Sequence, residues 1–436
     1  MMDVSKTGRT RLRDIAPNKH LKISLSMIYY MGMWPSGVKY RYLYGLYTVL
    51  SFIYLLGIFL ATEIAYLIVS WGSMQKIVAG ATILMTNITH ACKVLFILHR
   101  HKRIQNLVDV TESEMFSRDN AKYRCIVTRY TWQGIFHHIA YQSFGGMAVF
   151  TWGFTPIADL LTGRSKQLPM EGWYPYNVTN TPAFEITSLD QAITIIICCF
   201  NNVAIDTMIT GLITIACCQL TILNQNIASI NNETKRQSIS KDIVDGKKCT
   251  EDSCHGAYKD LKRCVEHSNM IFDFSKEIQS IFGTAIFLQF LVNCIIICLI
   301  AFNIAQMKVY IPSILFGMVM YMCCMTYQIF IFCWHGNELY LHVRYRPMIF
   351  DNQKQDNSAE KSHLQSVNLI FASYSNEWWH KTKNFKQGIQ IIMIRAQRPL
   401  ILSAGNIMEL SLQTFVRVSA CIYDATNILF IHNLIF

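Results

Sequence analysis

Charge is scarce in this chain. Only 15% of its 436 residues are Asp, Glu, Lys or Arg, against 52% apolar and 12% aromatic, a balance that excludes an ordinary cytosolic domain and points to a membrane. Acidic residues are scarcer than basic ones, 28 against 39, which leaves a net charge of +11. The basic residues lie in short clusters beside apolar segments, as cytoplasmic flanks of membrane helices do, so nucleic acid is not the expected partner. HExxH, P-loop, GxSxG and Gly-rich dinucleotide signatures are all missing, and the chain is read as a non-enzyme that needs no cofactor. No leader-like apolar run with a cleavage site precedes Lys22, so the first membrane helix is expected to direct insertion. The fifteen cysteines include no CxxC pair. Cys198, Cys199, Cys217, Cys218, Cys294, Cys298, Cys323 and Cys324 lie inside apolar runs and read as packing residues. Cys249, Cys254 and Cys264 share a polar loop without a supporting histidine pattern, and no metal site is assigned.

What is present is a series of apolar segments, at about 40–69, 75–98, 130–161, 189–223, 278–305, 309–334 and 400–430, each long enough to cross a bilayer as a helix. The expected fold is therefore an all-α membrane protein with seven transmembrane helices. With the N-terminus inside, 33 of the 39 Lys and Arg residues are cytoplasmic. Lys76, Arg164, Lys166 and Lys308 fall outside, and Lys93 and Arg417 lie within helices. The positive-inside bias thus puts the N-terminus in the cytosol and the C-terminus outside. The sequon at Asn177 falls in the outer loop after the third helix, where glycosylation is expected. Sequons at Asn87, inside a helix, and Asn232, in a cytosolic loop, are expected to stay unmodified. The inner connections are long, and Leu364, Val367, Leu369, Phe371, Trp378, Trp379, Ile389 and Ile392 keep helical spacing, so helices are expected to continue into the cytosol. The segment 235–255 is polar and reads as a loop. The chain divides into a cytosolic segment 1–39, helices one to six over 40–334, anchor helices over 335–399 and a seventh helix over 400–436.

Two helices carry candidate site residues. On the third, Ser143, Gly146 and Phe150 share one face and suit an apolar ligand cavity or, equally, close helix packing. Helix six offers Phe316, Val319, Met320 and Cys323 on a comparable face. His137 and His138 point about 100° apart on a helix and read as structural rather than metal-binding. On the last helix, Asn406, Glu409, Gln413, Arg417, Asp424 and Asn427 fall within an arc of about 80°. A polar stripe in hydrocarbon needs either a protein partner or a water-filled pathway.

At its C-terminal quarter the chain most clearly resembles the insect odorant receptor family, a resemblance that covers essentially the whole length. The residues that carry the likeness are Cys333-Trp334-His335-Gly336-Asn337-Glu338-Leu339, Tyr374 to Trp379, Arg395-Ala396-Gln397-Arg398-Pro399-Leu400, Ala404-Gly405, Leu410-Ser411-Leu412, Phe415, Tyr423 and Ile428-Leu429. The resemblance implies a ligand-gated, non-selective cation channel built as a tetramer around a central pore, with a seventh helix split into an anchor piece and a pore-lining piece. It implies a ligand-tuning subunit that assembles with odorant co-receptor subunits in the plasma membrane of sensory neurons, among membrane lipid, and binds a small volatile apolar ligand. Ser143, Gly146 and Phe150 match the family's pocket positions, and Ile428 its hydrophobic gate. Phe316, Val319 and Met320 complete the expected pocket. Arg417, Asp424, Asn427, Ile428 and Ile431 are the expected pore residues facing permeating cations. The chain departs from the pattern in carrying Asp424, Ala425 and Thr426. A gustatory receptor of the same superfamily is the neighbouring alternative, and a G-protein-coupled receptor the more distant one, disfavoured by the charge bias.

The topology is directly testable. Epitope tags on intact cells are expected to label the C-terminus and leave the N-terminus hidden, and the reverse labelling would overturn the charge-based orientation.

Overall fold

The structure, a computed structural model, describes residues 18–34, 41–163, 168–242, 251–307, 312–343, 373, 383–397, 401–405 and 407–435. It is a bundle of long helices: α1 (Lys19–Tyr30), α2 (Arg41–Phe52), a π-helical stretch at Ile53–Ile58, α3 (Phe59–Val69), α4 (Met74–Thr111), a short α5 (Glu114–Ser117), α6 (Arg124–Thr162), α7 (Ala183–Asp242), α8 (Glu251–Ala305), α9 (Pro312–Val343), α10 (Lys383–Ala396) and α11 (Leu412–Ile435). Among the described residues, five spans are long and apolar enough to cross a membrane: Tyr42–Val69, Lys76–Thr111, Ala183–Ile230, Tyr258–Ala305 and Pro312–His342. The protein is a multi-pass membrane protein. Helix α6, with 39 residues, is long enough as well, at about 1.5 Å per residue.

The bundle is organised around α7, where every residue from Asn201 to Leu220 except Asn202 is buried. At its centre Lys93 of α4 pairs with Asp206 of α7, Nζ to Oδ1 at 2.7 Å, both side chains buried. Asp206 also accepts from Tyr141 of α6 at 3.2 Å and from Gln328 of α9. Gln328 in turn accepts from Asn293 of α8 at 2.8 Å. Four helices in addition to α7 are thereby tied to one carboxylate. Helix α1 docks from the side, and His20 donates through Nε2 to the Gly211 carbonyl at 3.2 Å. Burial lowers the His20 pKa to about 4, so this ring is neutral.

The C-terminal region departs from expectation. Residues 401–405 and 407–411 do not begin the last helix. They form a small antiparallel hairpin pairing Ser403 with Glu409 and Ala404 with Met408, and the helix starts only at Leu412. Neighbouring helices capture the hairpin backbone, because Gln279 of α8 donates to the Ser403 carbonyl at 2.7 Å and accepts from its N–H at 2.9 Å. Gly405, in the left-handed region at φ +62°, turns the chain and donates its N–H to the Gly283 carbonyl at 2.8 Å. Glu409 therefore belongs to the hairpin and not to a helical stripe, while Asn406 lies outside the described residues. Helix α9 runs through the expected boundary at Trp334 to Val343 and meets the hairpin at Gly336, where an added Cβ would sit 2.6 Å from the Leu410 carbonyl oxygen. The segment 235–255 is helical to Asp242 and again from Glu251. Leu364, Val367, Leu369, Phe371, Trp378, Trp379 and Pro399 lie outside the described residues, whereas Ile389 and Ile392 are buried on α10.

Removing one member of the central pair leaves the other charge buried alone, at a cost of roughly 3–5 kcal/mol. Lys93→Met is expected to lower the melting temperature of detergent-purified protein and to deplete it from the cell surface. An unchanged melt would show that the pair is not structural.

Candidate functional site

A cavity of about 80 Å³ lies between α4, α6, α7 and α9, capped by Phe59 of α3 and by Met170 from the connection after α6. Helical periodicity supplies its walls. Ile83, Thr86, Asn87 and His90 line it from α4, and Tyr141, Gly145, Ala148, Val149 and Trp152 from α6. Helix α7 contributes Ile195, Cys198, Cys199, Asn202 and Val203, and α9 contributes Tyr321, Cys324 and Met325. Trp152 meets Tyr321 edge-on with ring centroids 5.1 Å apart, and the Tyr321 hydroxyl is hydrogen-bonded to Thr86. Such a pocket of apolar walls with a few placed polar groups can hold a small, mostly apolar molecule by contact and orient it by hydrogen bonds.

The pore-side candidates lie elsewhere. Arg417, Asp424 and Asn427 are exposed on α11 together with Gln413, whereas Phe415, Val418 and Ile422 pack against the core. Beside this helix an open groove of about 1050 Å³ runs between α8 and α11. The backbone at Ile428 and Ile431 is helical, and their side chains lie outside the described ones.

The family model described as "7tm Odorant receptor" matches residues 73–344 and 358–423, well over half of the chain. The chain belongs to the odorant receptor family. The receptor is 25% identical to Odorant receptor 22b of Drosophila melanogaster over 316 residues, 71% of this chain and 66% of that one. It is also 25% identical to Odorant receptor Or1 of Anopheles gambiae over 335 residues, 73% of this chain and 77% of that one. Its fold matches the insect olfactory receptor OR5 of Machilis hrabei, solved in complex with eugenol, with a TM-score of 0.73 and 16% identity over 94% of this chain and 97% of that one. The receptor is a member of an insect chemosensory family and not an enzyme.

None of the six pocket residues selected from the sequence lines the cavity of the receptor. Ser143 is exposed and donates to the Ile139 carbonyl of its own helix at 2.8 Å. A Cβ on Gly146 would meet nothing within 4 Å. Phe150 is 67% exposed and stacks on Phe154. Phe316 and Val319 are exposed, and Met320 is half-buried against the core. Neighbouring positions on a helix differ by about 100°, so Gly145 faces inward, 2.9 Å from its Cβ position to Cys199 Sγ, while Gly146 faces out. His137 and His138 serve different helices, bonded to Tyr327 and to Thr207, each at 2.9 Å. The overlooked lining residues Asn87 and His90 had one signal in the sequence, namely polar side chains spaced by three with Lys93 inside an apolar helix. The sequon residue Asn177 is in the connection after α6, and its Oδ1 accepts from the Thr179 N–H at 2.9 Å.

The two faces of α6 make a discriminating pair. Ala148→Leu is expected to fill the cavity and reduce agonist potency by about tenfold or more, whereas Gly146→Leu leaves dose-response curves unchanged. Currents normalised to surface protein measure this, and equal effects of both variants would remove the cavity from consideration.

Proposed function

We propose that this receptor is the ligand-tuning subunit of an odorant-gated, non-selective cation channel, assembled with odorant co-receptor subunits as a heterotetramer in the plasma membrane of sensory neurons. In this reading the chain crosses the membrane seven times, with α2 and α3 forming one crossing and α4, α6, α7, α8, α9 and α11 the others. The N-terminus is cytosolic, the C-terminus is outside, and Asn177 is glycosylated. A small volatile molecule occupies the cavity between α4, α6, α7 and α9. The exposed polar face of α11 lines the pore.

The observation that carries this reading is the path along α9. Tyr321, Cys324 and Met325 line the cavity, and Phe330, on the same rigid helix, packs edge-on against Phe415 of α11 with centroids 5.5 Å apart. A ligand that binds more tightly to one arrangement of α9 shifts the population of α11 positions by its differential affinity. No covalent chemistry is required. Support for water along α11 comes from the exposed Arg417, Asp424 and Asn427, which have no place in contact with lipid.

Odorant-evoked current is expected only when the co-receptor is co-expressed. Asp424→Asn, which keeps volume and removes charge, is expected to reduce cation conductance or divalent block with little change in ligand ranking. Ile428→Ala is expected to raise basal current. Wild type and both variants, matched for surface protein, are compared in several cations at fixed voltage. Identical selectivity, block and basal current in all three would make α11 a packing helix and sink the pore assignment.

A further inference from the structure

Two amide side chains line the cavity, and each is held from behind by a buried ionisable group. Asn87 donates through Nδ2 to Glu63 Oε1 at 2.7 Å, and Glu63 is only 3% exposed. Asn202 accepts through Oδ1 from Lys93 Nζ at 2.9 Å, and Lys93 is itself locked to Asp206 by contacts of 2.7 and 3.0 Å. A lysine ammonium has no acceptor, so Asn202 turns its oxygen to Lys93, and Asn87 turns its NH₂ group to the Glu63 carboxyl. The two neighbours therefore set which way each amide points. Asn87 is left with its carbonyl oxygen and Asn202 with its NH₂ group, and among the described residues neither of these atoms has a partner.

We propose that the cavity selects small apolar molecules that carry a hydroxyl group, with Asn87 accepting from that hydroxyl and Asn202 donating to it. This rests on the reading of the cavity as the ligand site. A hydroxyl both donates and accepts, so it satisfies two atoms that an ether meets only on the donor side and a hydrocarbon leaves bare. A bound molecule that displaces water from a buried amide without replacing its hydrogen bond forfeits affinity, and this is the origin of the selection. Phe59, Ile83, Val149, Trp152 and Ile195 hold the apolar body. Glu63 and Lys93 are positioning residues that act through the amides.

The test records currents from the full-length receptor with its co-receptor against short primary alcohols, their isomeric methyl ethers and the parent hydrocarbons. Wild type is expected to prefer alcohols over the isomeric ethers by about tenfold or more. Asn87→Leu is expected to bring that ratio close to one, whereas Asn202→Leu removes a donor that alcohols and ethers share and is expected to lower the preference of both over the hydrocarbons. Asn202→Asp keeps an acceptor for Lys93 and removes the donor, so it gives the same loss of preference over the hydrocarbons should Asn202→Leu fail to reach the surface, and Asn87→Ala stands in for Asn87→Leu in the same way. A wild type that answers ethers or hydrocarbons as well as alcohols, or that is silent to every alcohol, overturns the proposal, as does an unchanged alcohol-to-ether ratio in Asn87→Leu or an unchanged preference over the hydrocarbons in Asn202→Leu. Ala148→Leu separates the two levels. Lost potency there with an unchanged alcohol-to-ether ratio in Asn87→Leu sinks only the hydroxyl assignment, whereas unchanged potency sinks the cavity itself.

Discussion

Lys93 and Asp206, paired in the middle of the bundle, constrain the packing of the helices around them. Charges in an apolar interior persist only when paired and fully hydrogen-bonded, and here the bonds that complete the set come from α6, α7 and α9, with α8 joined through Gln328. Apolar side chains tolerate sliding and rotation of one helix against another, because one aliphatic contact replaces another at little cost. A carboxylate with specific donors does not. The pair therefore sets helix registers that van der Waals packing alone leaves loose. Because Tyr141 and Asn202 also line the cavity, the same registers determine what the cavity displays.

The other rigid feature is the hairpin before α11. It is bonded to Gln279 and Gly283 of α8 and pressed against Gly336 of α9, so the last helix is attached at its start to both helices beside it. Beyond that point it keeps apolar contact through Phe415, Val418 and Ile422 on one side and is open on the other. A helix fixed at one end and lightly held along its length is suited to small displacements driven from α9. Helix α9 touches both the cavity, through Tyr321, and the last helix, through Phe330 two to three turns further on.

Much of this was legible in the residues. Five of the apolar runs, the exposed polar residues of the last helix and the family likeness are borne out, and Phe415, Val418 and Ile422 do pack away from Arg417, Asp424 and Asn427. Two things were misplaced for physical reasons. The last helix starts at Leu412 because backbone groups of residues 402–410 find partners on α8 and in each other, which no local pattern records. The cavity uses the 145, 148, 149 and 152 face of α6 and not the 143, 146 and 150 face.

That second difference marks the division between the two kinds of information. Hydropathy counted along the chain determined that it enters a membrane, which stretches are apolar enough to cross it and which polar residues need explaining, since those depend on transfer from water alone. Which side of a helix faces the core was decided only by tertiary structure. In a soluble protein the outward face is polar and declares itself, but in lipid both faces are apolar. Buried Val149 and exposed Phe150 are therefore equivalent in sequence, and only the packing of α4, α7 and α9 around the Lys93 and Asp206 pair tells them apart.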